Sequence, residues 1–509
     1  MTRARLAIHG HFYQPDRRDP FSGAMPPDAS AAPAHDWTAR IAAECYRPNA
    51  ERGNFGRIGW DLGPALAGWL LQHQPEVHAA IVRQDDGASG MAVAYNHTIL
   101  PLAPARDRRT EIRWGLRDFE QRFGRRATGL WLPEAAVDRL TIEIAADEGV
   151  EYTILAPWQA EPAREQGESA GHGATGRGRD GGTLDTRRPY RVDAGGGRAI
   201  AVVLFDELLS TGLSFDPTAT VDADAFWRER VPPRADPPLA DDTSPLLVAA
   251  TDGELYGHHQ RFREMFLERL TTAGLSGGSG APDPAFGLTT VGAALRERPL
   301  AELPPAAIRE RTSWSCHHGV ARWSAECPDA VDGRWKQPLR AALDRLAGSI
   351  DAVTEIVLAP LGVDAWAARD AYADVVSGFS PVEAFTARTL ASATDGAPAQ
   401  AARIATGVSA EALLRDLMAA QASRLAMFAS DAWFWEDASR PETQQAMRFA
   451  AHAARLVDPL VTGVRGGRSG PLERAFVEDL RALRSPLTGE DGAALYRVAL
   501  EVVGQPAPA

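Results

Sequence analysis

Two acids in this chain close apolar runs. Glu134 ends Gly129-Leu-Trp131-Leu-Pro133-Glu134, and Asp252 follows Leu246–Ala250 and opens Asp252-Gly-Glu254-Leu-Tyr-Gly257-His258-His259. An apolar, β-branched run reads as a buried strand, and in barrel enzymes the groups that do chemistry sit at the carboxyl ends of strands. Pro133 fixes the backbone just before its acid. Bland readings stand beside this one: Glu134 as a first-turn helix charge, Asp252 as a helix cap. Two carboxylates in unlike environments can break a glycosidic bond, one protonating the leaving oxygen while the other meets the sugar carbon. In a retaining enzyme the two groups are about 5–5.5 Å apart.

Polar and aromatic residues gather at four further places. His9-Gly-His11-Phe-Tyr-Gln14-Pro15 sits at the end of the first apolar run, and strand alternation puts His9 and His11 on one face. Asn96-His97 is a weaker signal, since such a pair also closes turns. Trp314 and His318 lie in Thr312–Trp323, and Asp431 and Trp433 in Ala429–Trp435. Aromatic rings stack on sugar faces, although tryptophans at helical spacing also build cores. The candidate set is therefore Glu134 and Asp252 as catalytic carboxylates, with His9, His11, His97, Trp131, Glu254, His258, Trp314, His318, Asp431 and Trp433 as substrate contacts. A metal-dependent hydrolase of the polysaccharide deacetylase kind is the rival, because His9, His11, His258 and Asp252 are of the right chemical kind to hold an ion.

The elements that must position these groups alternate in the first half. Arg5–His9, Ala127–Pro133, Tyr152–Ala156, Ile200–Phe205 and Leu246–Ala250 read as strands, and Arg113–Phe123, Val137–Glu148 and His258–Leu270 as helices. Glycine and charge dominate 165–184, a mobile surface loop by composition; Pro232–Pro245 and Gly274–Phe286 also read as loops. Past about residue 300, Gln337–Ile350, Pro360–Val376, Ser409–Ser430 and Pro441–Val457 are rich in Ala, Leu and Arg at helical spacing. The expected architecture is an incomplete β/α barrel over 1–300, then a mostly helical domain over 301–509 that contributes aromatics to the cleft.

Composition narrows the function classes. The 509 residues carry a formal net charge of −13, which repels phosphate backbones and argues against nucleic acid. No apolar run approaches the roughly 18–20 residues that cross a bilayer, so no membrane role is expected. The N-terminus lacks an apolar signal core, and a cytoplasmic location is expected. The one lysine, Lys336, has no phosphate loop before it, which speaks against P-loop and Schiff-base chemistry. Cys45, Cys316 and Cys327 are too few for a disulfide framework and read as buried or semi-buried thiols.

Taken together and in order, these segments resemble glycoside hydrolase family 57. His9-Gly-His11 through Gln14-Pro15 is similar to that family's first region, with extra residues before Gln14. Asn96-His97 falls at the second region, and Trp131-Leu-Pro-Glu134 resembles the third, whose Glu is the nucleophile. Asp252-Gly-Glu254 through His258 resembles the fourth, whose Asp is the acid/base. Ser430-Asp431-Ala-Trp433 is similar to the fifth, with one residue inserted. Glu44-Cys45-Tyr46, Trp114–Glu120 and Ser313–Gly319 point to a subgroup with an uncharacterised C-terminal region. The resemblance implies a seven-stranded incomplete barrel, a following helical bundle, retention of configuration, an α-glucan substrate, and no metal or other cofactor. Hydrolysis, transfer and branching all occur in the family. One departure is Cys327-Pro328, where relatives read Cys-Gly-Cys, so no cysteine or metal role is carried over there.

Overall fold

The computed structural model describes residues 4–163, 183–239, 241, 243–272, 286–329, 332–393, 408–462 and 470–505. The chain divides into two compact units. The first holds residues 1–14, 28–94 and 119–315; the second holds 15–27, 95–118 and 316–509. The division expected near residue 300 thus falls after Ser315, and two early segments join the helical unit. Apart from its last two residues, the loop expected at 165–184 lies outside the described residues.

Eleven strands are described, all in the first unit: β1 Ala4–Phe12, β2 Gly59–Leu62, β3 Gly90–Val93, β4 Leu130–Trp131, β5 Tyr152–Leu155, β6 Ala160–Pro162, β7 Pro189–Asp193, β8 Ala199–Leu204, β9 Leu246–Asp252, β10 Phe286–Thr289 and β11 Pro305–Ile308. Seven of them, β9-β1-β2-β3-β4-β5-β8, run side by side and parallel, with a single bridge, Gly129 to Tyr152, joining β4 to β5. Between β8 and β9 the described contact is one backbone hydrogen bond, Asp206 N to Val248 O (2.6 Å), rather than a ladder. This is the incomplete seven-stranded barrel. The helices Pro64–His73, Pro75–Gln84, Ala105–Phe123, Arg139–Asp147, Glu207–Phe215 and Ala223–Arg230 lie between consecutive barrel strands, as parallel pairing requires. β10 extends the sheet beside the start of β1, while β6, β7 and β11 add a flap to β8.

Strand period alone decides what fills the barrel. Its core takes alternate residues: Met91 and Val93, Tyr152, Ile154 and Ala156, Ala201, Val203 and Phe205, Leu246, Val248 and Ala250. On β1 the inward series begins at Ala7. By the same parity His9 and His11 continue it toward the carboxyl end, as Asp252 continues Leu246, Val248 and Ala250. The chain thus changes from apolar to chemically active without leaving one face of the sheet.

The second unit is built from the helices Lys336–Leu358, Ala410–Ala426, Pro441–Thr462, Pro471–Leu480 and Gly492–Glu501, with shorter ones between. Leu339, Leu343, Leu346 and Ile350 form the buried stripe of the first. Two expected helices differ. Pro360–Val376 is broken: Gly362 turns left-handed (φ 67°), Asp364 accepts from Trp366 N and Ala367 N, and Ala365–Asp370 and Ala373–Val376 follow as separate helices. His258–Leu270 begins only at Arg263, because Gly257 (φ 139°) and Phe262 (φ 65°) hold the chain in a turn. Among the described residues no single helix is long and apolar enough to cross a membrane.

Candidate active site

At the carboxyl mouth of the barrel the two strands that flank β1 bring three polar groups into register. His11 lies opposite Asp252 on β9 and opposite Asp61 on β2. Asp61 is fully buried and binds both histidines, accepting from His11 Nδ1 at 2.7 Å and from His9 Nε2 at 3.0 Å. An ionised carboxylate only accepts, so both ring nitrogens that face it carry their protons. Burial works against charge on His11, but Asp61, helped by Asp252 and Glu254, lifts its pKa from 6.5 to about 9. Burial likewise disfavours the Asp61 anion, yet the pair of imidazoles holds it below the usual range. A cationic His11 at neutral pH is the result.

Trp131, the last residue of β4, is buried and stacks on both rings, 5.0 Å from His9 and 5.1 Å from His11. Beyond Pro133 the chain makes a tight turn in which Glu134 adopts a left-handed backbone (φ 56°, ψ 23°), uncommon for a residue with a side chain. The turn is pinned from outside. Trp314 N donates to the Glu134 carbonyl (3.0 Å), Trp314 Nε1 donates to Glu134 Oε2 (3.1 Å), and Ser315 Oγ donates to the same oxygen (2.7 Å). Trp314 also packs edge-on to Trp131 at 5.0 Å and to His11 at 6.3 Å. Burial raises the Glu134 pKa above 4.5, and the charge of Asp252 adds to the rise, while Ser315, Trp314 and His11 oppose it.

Asp252 stands exposed at the end of β9, where its charge acts on Glu134, His11 and Glu254. One face of the sheet therefore presents an exposed carboxylate, a half-buried one and a cationic imidazole that sense one another. That is the arrangement acid/base and nucleophilic work on one bond requires.

The neighbours expected to touch substrate divide. Glu254 is buried, and its Oε1 accepts from Tyr46 Oη and from Tyr13 N (3.2 Å); burial above all lifts its pKa to about 7. It braces β1 to the segment around Tyr46. His258 Nδ1 pairs with Glu44 Oε2 at 2.6 Å, and Trp37 lies edge-on to its ring. In the second unit His97 (φ 56°) bonds Ser430 Oγ through Nδ1 at 2.7 Å, and Ser430 N donates to the His97 carbonyl, so the Asn96-His97 and Ser430-Asp431 segments meet. Trp433 is buried there, stacked on Phe428 under the Arg340 guanidinium. His318 lies with Asp329 and two cysteines.

The ion-holding rival does not match this geometry. That rival needs His9, His11, His258 and Asp252 close enough to share one ion. Among the described residues, the group of His, Cys and carboxylate donors close enough to share an ion contains none of them. Sequence reasoning missed Asp61, Ser315 and the bracing roles of Glu44 and Tyr46. The signal for Asp61 was a charged residue inside the otherwise apolar Gly59–Leu62.

Residues 76–276 match the model described as glycosyl hydrolase family 57, and residues 332–503 match a domain of unknown function, DUF3536. No curated protein matches the chain. Among solved structures, it is similar to a maltose-forming amylase from Pyrococcus sp. ST04, with 14% identity and a TM-score of 0.69 over 99% of this chain and 92% of that one. A family 57 branching enzyme from Pyrococcus horikoshii gives 16% and 0.52 over 99% and 95%. An α-amylase from Thermotoga maritima gives 13% and 0.53 over 97% and 99%. At these identities the structures attest to the fold alone. Residues 76–276 are thus similar to glycosyl hydrolase family 57 and residues 332–503 to DUF3536, and the chain is a carbohydrate-active enzyme of the family 57 kind.

Proposed function

We propose that the chain cleaves or transfers α-linked glucose units with retention of configuration, through Glu134 as nucleophile and Asp252 as acid/base. The observation that carries this reading is the pair itself. A carboxylate held in a strained turn by Trp314 and Ser315 shares one barrel mouth and one electrostatic field with the exposed carboxylate ending β9. In the first step a Glu134 oxygen bonds to the anomeric carbon, the glycosidic C–O bond breaks, and Asp252 gives its proton to the departing oxygen. Esterification removes the Glu134 charge. Asp252, now an anion with no negative neighbour there, draws the proton from a water or a sugar hydroxyl, which attacks the same carbon and frees Glu134. In this reading Trp314 and His11 meet the sugar. The α-glucan substrate is supported by the names of the structural relatives, which act as amylase and branching enzyme.

Incubating the full chain with maltoheptaose tests this. Shorter products mark hydrolysis, and longer or rearranged ones mark transfer. Glu134→Gln should lower turnover by on the order of 10⁴-fold or more, the scale seen when a covalent catalytic group is removed. Unchanged turnover in that variant, or no reaction with any α-glucan, would overturn the assignment.

A further inference from the structure

The segment that follows Ser315 contains two short units of the same form, Cys316-His-His318 and Cys327-Pro-Asp329, each a thiol with a second donor two residues on. The fold brings all four donors together within the second unit. Cys316 Sγ lies 3.5 Å from Cys327 Sγ, Cys327 Sγ lies 3.6 Å from His318 Nδ1, and His318 Nδ1 lies 3.1 Å from Asp329 Oδ2. The four donor atoms all lie within 4.8 Å of one another.

The three short separations are those of three edges of a small tetrahedron. A zinc ion takes thiolate sulfur at ~2.3 Å, imidazole nitrogen at ~2.0–2.1 Å and carboxylate oxygen at ~2.0–2.2 Å. Tetrahedral angles then put sulfur about 3.8 Å from sulfur, sulfur about 3.6 Å from nitrogen, and nitrogen about 3.3 Å from oxygen. The observed distances fall within a few tenths of an ångström of these. A pair of cysteines meant only for a disulfide needs neither an imidazole turned on one sulfur nor a carboxylate beside that imidazole.

The surroundings suit an ion as well. Both thiols are buried, whereas His318 and Asp329 are exposed, so the soft ligands are shielded and the hard ones face an entry route. His317 N donates to Asp329 Oδ2 at 3.2 Å, the kind of outer bond that fixes a ligating carboxylate. Left-handed Gly319 (φ 77°) and the short helix Ala321–Trp323 fold the intervening chain back on itself.

We infer that Cys316, His318, Cys327 and Asp329 form a structural site for a zinc-like divalent cation that staples this loop. Two thiolates, a neutral imidazole and a carboxylate select a borderline-soft ion, and four protein ligands leave no open position for catalysis. Binding expels two thiol protons to solvent and moves the His318 proton from Nδ1 to Nε2. The site belongs to the other compact unit from Glu134 and Asp252, so the expectation that no metal serves the carboxylate chemistry stands apart from it.

Full-length protein made in zinc-supplemented medium and freed of tags should carry one zinc per chain by elemental analysis. Replacement by cobalt should give visible tetrahedral bands with thiolate-to-metal charge transfer in the near ultraviolet. Cys327→Ser should abolish both signals. His318→Ala, a change at an exposed side chain that leaves the fold intact, should weaken zinc binding by more than the roughly 10–100-fold that loss of an outer partner costs. Zinc should raise the melting temperature of the wild type and leave that of Cys327→Ser unmoved. A folded wild-type chain that takes up no zinc or cobalt overturns the inference, as does uptake at the wild-type level by the His318 and Cys327 variants. So does a denatured thiol count showing that Cys316 and Cys327 are oxidised to each other.

Discussion

Glu134 must be charged to attack a sugar carbon, yet its surroundings favour the neutral acid, burial first and the Asp252 charge after it. A carboxyl whose pKa is raised loses its anion as pH falls through that raised value, so the nucleophile disappears at a higher pH than an ordinary glutamate would. The acidic limb of kcat/KM should therefore lie above 4.5, the unperturbed value for this group. Asp252→Asn removes one of the two opposing influences. With an activated aryl glucoside, whose leaving group needs no protonation, this variant's acidic limb should move to lower pH. A limb that stays in place would show that the two carboxyls do not sense each other. Residue identity could be read from sequence here because Glu134 and Asp252 each end an apolar run. What could not be read was their support. Asp61 comes from a segment with no chemical signature and Ser315 sits unremarked beside Trp314, and their roles exist only once β2 lies beside β1 and Ser315 beside Glu134.

At the scale of the element, strand parity was legible and strand length was not. The apolar runs behind β5, β8 and β9 were placed to within two residues. β4 was expected over Ala127–Pro133 but pairs only at Leu130–Trp131, and β2 and β3, four residues each, were not read, since Asp61 and the glycines that open them break the apolar run. One consequence of close strand packing is measurable. Gly253, just past Asp252, has the Phe12 ring where a side chain would begin, 2.4 Å from the position a Cβ would take. Gly253→Ala must push on Phe12 or on the Asp252 backbone, and overpacking of this kind costs about 1–3 kcal/mol. Because Phe12 follows His11, the displacement reaches the site. Turnover on maltoheptaose should drop on the order of 100-fold, the scale of a 1 Å misplacement, with the circular dichroism spectrum retained. Full activity in that variant would mean that the turn yields without moving the acid.

At the scale of the whole molecule, arginines of the helical unit have placed partners. In the helical unit Asp107 accepts from Arg424 and is ion-paired with Arg369 at 2.9 Å, and Arg424 also reaches Asp351 at 2.9 Å. Gln421 donates to Asp351 and accepts from Arg369, closing the ring of contacts. All of this is buried or nearly so. Removing one member leaves a charge without its counter-ion, which costs about 3–5 kcal/mol. Arg424→Met should lower the thermal midpoint of the full chain clearly, whereas Arg345→Met, which breaks the exposed pair with Asp479, should shift it little. Equal shifts in the two would deny the network its role. The helical half was legible as helices but not as a charged interior, since nothing in the spacing of Asp107, Asp351, Arg369 and Arg424 tells that they meet.

The left-handed turn at Glu134 has an evolutionary side. A residue with a Cβ pays on the order of 1 kcal/mol to sit there, and glycine or asparagine does not. Glu134→Gly should thus melt higher than the parent while losing turnover. Breeding this enzyme for heat tolerance by survival of fold alone would drift toward sterile proteins, so any such campaign has to score sugar release in the same round.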